Sequence, residues 1–227
     1  YVYNKNSWLI AQTDPEGHAQ TFGYDSVGNR ILVTDARGNS TRTFYDALNR
    51  TVRVLDPLNF ATRFEYDGVG NRLTVIDARV GITRFAYDPG NRLIETTDAE
   101  ERISRYTYDV RGNRIQMRTA VGTDVEELTT FEYDAENNLR SVTDAEGNVT
   151  THDYDRVYNR VETVDGNGNA TTGEFDALSR LVRITNAEGE VTSYQYDAVG
   201  NRLRRTDGNG YVTEWLYDAL NPVTPEI

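Results

Sequence analysis

The chain has 227 residues and a formal net charge of −12, with 36 acidic residues against 23 Arg and one Lys, Lys5. A surface this acidic repels phosphate backbones and argues against nucleic acid as a partner. With no cysteine and no apolar run near the roughly 20 residues of a membrane span, a disulfide framework, a thiolate metal site and membrane insertion drop out as well.

Read from the first residue, an aromatic residue followed by Asp or Asn recurs with a fixed beat: Tyr3-Asn4, Tyr24-Asp25, Tyr45-Asp46, Tyr66-Asp67, Tyr87-Asp88 and Tyr108-Asp109. The series resumes with Tyr133-Asp134, Tyr154-Asp155, Phe175-Asp176, Tyr196-Asp197 and Tyr217-Asp218. Every interval is 21 residues except Tyr108 to Tyr133, which is 25 because four residues are added near 121–127. A period of this length marks a tandem array in which each unit completes its neighbour's packing, so residues 1–227 read as one array of about ten repeats. The last repeat runs into Asn221-Pro222-Val223-Thr224-Pro225, and we expect the chain to be a segment of a longer protein.

Within one repeat, Tyr24-Asp25-Ser26-Val27-Gly28-Asn29-Arg30 is a turn, Ile31 to Thr34 a short alternating run, Asp35-Ala36-Arg37-Gly38-Asn39 a second turn, and Ser40 to Tyr45 a second run. Gly and Asn stand where positive φ is easiest, so each repeat predicts a β-hairpin feeding the next. The fold class is therefore all-β: tandem antiparallel hairpins in a continuous curled sheet, a spiral shell or a solenoid-like strip. Parity sorts the faces. Offsets counted from Tyr24 place Ile31, Val33, Val52, Val54, Leu73, Val75, Phe64, Phe85, Tyr106, Tyr194 and Trp215 with the repeated Tyr on an apolar face. Arg42, Arg63, Arg84, Arg105, Arg183, Glu132 and Glu162 fall on a wet face, with Phe44, Leu55 and Ile76 as exceptions. The stacked rings should be well buried, which requires the sheet to curl or to meet a second sheet.

The Asp after each Tyr should cap its turn by accepting backbone N–H groups. An Arg follows five or six residues after the aromatic, at Arg30, Arg50, Arg72, Arg92, Arg114, Arg160, Arg180 and Arg202, within reach of those carboxylates. An Asp–Arg lattice is the expected structural device.

The string Tyr-Asp-x-x-Gly-Asn-Arg-Leu, then Thr-Asp-x-x-Gly-Asn-x-Thr, closely resembles the YD repeats of the Rhs proteins. Ala198-Val199-Gly200-Asn201-Arg202-Leu203 and Thr143-Asp144-Ala145-Glu146-Gly147-Asn148-Val149-Thr150 are near-consensus instances. The resemblance spans the whole chain. It includes bacterial Rhs polymorphic toxins, the C components of insecticidal toxin complexes and animal teneurins, and it implies a β-strip that spirals into a hollow shell around a toxic C-terminal domain, or that supports adhesion. Family shells end in an Asp-Pro-x-Gly-Leu-like self-cleavage segment. Asp14-Pro15-Glu16-Gly17 and Asp56-Pro57-Leu58-Asn59 echo it only because a repeat turn falls there, so cleavage and toxicity do not transfer.

Chemistry is hard to locate in a periodic chain, because a catalytic site breaks symmetry and these acids keep their place in the period. We expect no enzyme, no cofactor and no metal. His152 occupies a ring slot and reads as packing, and no Ser-His-Asp arrangement is supported for it or His18. Asp165-Gly166-Asn167-Gly168-Asn169 and Asp207-Gly208-Asn209-Gly210 look like calcium loops but lack the full ligand spacing. The longer acidic loop at 121–127 is a candidate contact point. The expected function is a non-enzymatic scaffold, a stretch of Rhs-type shell that encloses a toxin or other cargo; the alternative is an extracellular adhesive or fibre-forming array that binds glycans or other cells. Partners would be further repeats or another copy through the edge strands near Val2–Ile10 and Tyr211–Tyr217, an enclosed toxin domain, or glycans. The expected location is secreted or at the cell surface of a bacterium.

Overall fold

The computed structural model of the protein describes residues 1–217 and the backbone of Val223–Thr224. Asp218, the last of the repeated acids, lies outside the described residues. No helix occurs among them: strands of five or six residues, such as Leu9–Thr13, Ala19–Tyr24, Arg30–Thr34 and Ser40–Tyr45, alternate with tight turns. The fold is all-β, with 21 strands in one sheet and every described pairing antiparallel. Leu216–Tyr217 pairs with Val223–Thr224 in a separate ladder. The chain divides into two compact units, residues 1–106 with 119–125 and residues 107–118 with 126–227. Each is built from the same pieces.

Both turns of the repeat have one backbone geometry. In the first, the Asp25 N–H donates to the Asn29 carbonyl and the Gly28 N–H to the Asp25 carbonyl; in the second, Asp35 and Asn39, then Gly38 and Asp35, repeat the pattern. The fourth residue is left-handed, as expected for a three-residue hairpin loop whose type I turn is followed by a bulge residue at positive φ. Gly28 supplies it at φ 100°, and Asn49 and Asn91 at 60°. Val80 holds the same position at φ 67°, where a β-branched residue is strained.

The two kinds of hairpin differ in register. Across the second turn the pairing is regular, Leu32 with Arg42, Val33 with Thr41 and Thr34 with Ser40. Across the Tyr-Asp turn it slips by one: Tyr24 pairs Arg30, but Gly23 pairs Leu32, leaving Ile31 as the extra residue. The same slip makes Val52 and Leu73 extra residues. Straight parity, which assigned Ile31, Val52 and Leu73 to the ring face, is therefore corrected at these positions. A bulge absorbs one residue and shifts everything before it by one. Arg30, at an even offset, thereby joins the face of Tyr24 and Phe22.

The expectation of well-buried rings also needs correction. Among the described residues no hydrophobic side chain is fully buried, and the only buried residues are polar, Ser141 and His152. The repeated tyrosines are mostly half-buried. Trp8 packs against Tyr24, and Arg50 and Arg180 lie over Tyr66 and Tyr196, while part of each of these rings stays accessible.

Candidate functional site: capped turns and a tyrosine ladder

The repeated acids are consumed by their own turns. Asp25 Oδ1 accepts the Val27 N–H at 3.0 Å and the Asn29 N–H at 2.9 Å, while Oδ2 accepts the Asn29 side-chain amide at 2.9 Å. Asp35 in the second turn does the same with Arg37 and Asn39. These bonds lower the carboxyl pKa values. At Asp35 the Asn39 side-chain amide is the largest cause, followed by the Asn39 backbone N–H. At Asp25 partial burial pushes upward most strongly, and the Asn29 amide with the backbone N–H groups outweighs it. Asp165, in the calcium-like loop, is spent identically on Asn167 and Asn169.

What occupies the residue four after the Asp splits the Tyr-Asp turns into two kinds. After Asp25, Asp67 and Asp109 it is Asn, and that amide also reaches the next Tyr-Asp turn: Asn29 to Asn49 Oδ1, Asn71 to Asn91 and Asn113 to Asn137, at 2.8, 2.8 and 2.9 Å. After Asp46, Asp88 and Asp176 it is Arg. Arg50 Nε donates to Asp46 Oδ2 at 2.8 Å, Arg92 and Arg180 pair likewise with Asp88 and Asp176, and all three are spaced i,i+4. Arg50 then extends to the Asp67 carbonyl at 2.9 Å and lies over the Tyr66 ring at 4.8 Å, and Arg180 treats Asp197 and Tyr196 the same way.

The expected Asp–Arg lattice is therefore assembled at Arg50, Arg92 and Arg180. Arg30, Arg72, Arg114 and Arg202 come one residue later, beyond the Asn that takes the carboxylate, and sit over rings instead. Arg30 covers Phe22, Arg72 covers Phe64 and Phe85, Arg114 covers Phe131, and Arg202 covers Tyr194 and Trp215. Arg160 follows Asn159, which caps Asp155, and its charge bears on His152. Asp134 is capped by Asn138 and Asp197 by Asn201. On the opposite face Arg53 stacks on Phe44 at 3.9 Å, and Arg105 pairs with Glu95 at 2.8 Å.

Pattern reading missed the tyrosine hydroxyls. The ladder between Arg30–Thr34 and Ser40–Tyr45 stops at the Leu32–Arg42 pair, and beyond it the Tyr45 hydroxyl donates to the Arg30 carbonyl at 3.1 Å. Tyr24 reaches Leu9, Tyr66 Thr51, Tyr87 Arg72, Tyr133 Arg114, Tyr154 Leu139, Tyr196 Leu181 and Tyr217 Arg202, all by the same device. The signal was present in the sequence: the position is Tyr ten times in eleven, with Phe only at 175, where burial alone would accept either ring.

His152 fills its ring slot. It is buried, its Nδ1 lies 3.0 Å from Thr163 Oγ1, and burial, then the Arg160 charge, lower its pKa. Asp14, Glu16 and His18 converge at an exposed turn, where His18 Nδ1 is 3.0 Å from Asp14 Oδ2.

A family description of RHS Repeat matches residues 3–40, 45–79, 87–124, 133–170 and 175–212. Its unit thus covers two Tyr-Asp turns, one of each kind at 45–79, 87–124 and 175–212, whereas 133–170 holds two Asn-capped turns. No curated protein sequence matches the chain. Among solved structures, the TcdB2-TccC3 crystal structure aligns over 98% of this chain and 15% of that one, at 16% identity and TM-score 0.63. TcdB2-TccC3 without its hypervariable C-terminal region aligns over 96% and 18%, at 15% identity and TM-score 0.40. A porin-like protein from Bacteroides uniformis aligns over 86% of both chains at 15% identity and TM-score 0.34. The similarity to the first shows a shared fold, of which this chain spans about 15% of the length.

Proposed function

The chain belongs to the RHS repeat family and is a structural repeat scaffold, and on that premise we propose that it acts as a non-enzymatic stretch of shell wall enclosing a toxin domain or other cargo. The observation that carries this reading is that most of the repeated acids are spent on their own turns, with Asp56, Asp77 and Asp207 held through Oδ1 alone. Carboxylate after carboxylate has both oxygens taken by its own turn, as at Asp25, Asp35, Asp67 and Asp155, so the residues that dominate the sequence hold the wall together. A catalytic group would need an oxygen free and a partner that departs from the period. The half-exposed rings agree with a wall whose inner face meets contents. The fold shared with the TcdB2-TccC3 toxin complex supports a secreted or cell-surface bacterial setting; no helix among the described residues is long and apolar enough to cross a membrane.

Limited proteolysis of the complete product of the gene tests the proposal. A segment outside the repeats should survive protease while the repeats are intact and become sensitive once they are unfolded. Cleavage of that segment at the same rate in both states would overturn encapsulation, and glycan binding by the intact repeats would favour the adhesive alternative.

A further inference from the structure

On the sheet face opposite the rings, the two units carry opposite charge. In the first, the residue three before the repeated tyrosine is Arg four times running, Arg42, Arg63, Arg84 and Arg105, and at no other repeat. All four are exposed. Arg105 pairs with Glu95, whereas Arg42, Arg63 and Arg84 have no ion pair or side-chain hydrogen bond among the described residues. Arg53 stands directly opposite Arg63, a like-charge pairing that costs stability. The acids on this face of the strands from Ser40 to Tyr108 are Glu65 and Glu95, against these five arginines.

In the second unit the residue one before the aromatic is Glu132, Asp153 and Glu174 in successive repeats, each exposed. Glu162 stands opposite Asp153, the mirror of Arg53 and Arg63. These carboxylates are only partly spent. Arg140 lies 2.6 Å from Asp153, Arg183 lies 3.8 Å from Glu174, and Ser141 Oγ donates to Glu132 at 2.9 Å, while a carboxylate has room for a second guanidinium. The net charge follows the same division: the first unit has 13 cations against 15 acids, and the second 11 against 21.

We propose that the row Arg42, Arg63 and Arg84 of one copy docks on the row Glu132, Asp153 and Glu174 of a second copy. Charge complementarity selects that occupant, and spacing makes it fit. Both rows advance one residue per repeat, two strands or roughly 10 Å, so guanidinium and carboxylate meet three times in register. Approach of the nearly neutral first unit to the acidic second unit also avoids most of the repulsion between two chains of charge −12. Each side of the contact is a different patch, and both are exposed, so the association is heterologous, reversible and weakened by salt.

Sedimentation equilibrium of the 227-residue chain from about 1 μM to about 1 mM, at about 20 mM and about 500 mM salt, tests this. We expect self-association at low salt that weakens at least about tenfold at high salt, and as much when Arg63→Gln and Arg84→Gln are combined. Two charge-reversed chains give the sharper reading, one with Arg63→Glu and Arg84→Glu, the other with Asp153→Arg and Glu174→Arg. Each alone should stay monomeric with the circular dichroism of the parent, and the two mixed should associate. A parent chain that is strictly monomeric at low salt, or a mixture that fails to associate, would overturn the proposal. Association that ignores salt and all four variants would also overturn it and assign the contact to strand edges. A monomeric chain whose arginine row instead binds heparin would give that row to a foreign polyanion. None of these results bears on whether a cargo is enclosed.

Discussion

The tyrosine hydroxyl explains why this repeat is written with Tyr. Each bulged hairpin ends its outer ladder early, and the next repeat's ring supplies a donor to the carbonyl that follows. Phe175 is the exception, and by spacing its missing bond belongs to the Arg160 carbonyl. Phe175→Tyr should therefore stabilise the chain by about 0.5–1.5 kcal/mol in urea denaturation, the net worth of one such bond; an unchanged midpoint would mean that the ring alone suffices. Charge at this scale gives a second expectation. The His152 pKa is lower folded than unfolded, so the unfolded chain binds the proton first and stability falls as pH drops below about 6.5. His152→Phe should remove that slope. The turn aspartates, also lowered, keep their contribution above about pH 4 and lose it as pH falls through their folded values, so both chains should unfold steeply in acid. Circular dichroism against pH would show a shallow step only with His152 present. The acids and rings were legible as a period. The hydroxyl partner was not, because a carbonyl has no letter of its own.

At the level of the turn, one backbone geometry serves both turns of the repeat, with the third side chain of the motif choosing its wider role. Asn four after the Asp ties its carboxylate to the neighbouring Tyr-Asp turn through an amide; Arg does so through a carbonyl and a ring. Arg50→Ala should cost about 1–2 kcal/mol, from the stacking on Tyr66 and the bond to the Asp67 carbonyl. Arg50→Asn should recover part of this by capping Asp46 as Asn29 caps Asp25. Equal losses for the two variants in chemical denaturation would show that the cap carries no weight. Val80 offers the opposite test. Its left-handed backbone is strained for a β-branched residue, so Val80→Asn should stabilise by about 1 kcal/mol. The hairpins, their turn residues and their order followed from alternation and from Gly and Asn placement. The bulge did not, since a run with one extra residue still alternates on each side of it; which arginines go to rings rather than to acids is set by whether Arg stands five or four residues after the Asp.

From Asp25 to Asp109 hairpins with an Asn cap alternate with hairpins with an Arg cap, and the family matches at 45–79 and 87–124 each take one such pair, while 133–170 holds two Asn-capped hairpins. Stability should then add by neighbouring pairs, as in other repeat proteins. The sequence beat of 21 residues showed the hairpin and hid the pair, because Gly-Asn-Arg and Asn-Arg differ only by where the same letters fall. The measurement that bears most directly on this account is chemical denaturation of two shortened chains. Removing the 42 residues Asp46–Tyr87 joins Tyr45 to Asp88 and keeps the alternation, so Asn29 meets Asn91 in place of Asn49. Removing the 21 residues Asp46–Tyr66 joins Tyr45 to Asp67 and sets Gly70, which has no side-chain acceptor, opposite Asn29. The account predicts that the chain with the larger deletion is the more stable of the two and keeps the far-ultraviolet dichroism per residue of the parent. A smaller deletion that proves equally or more stable would contradict it.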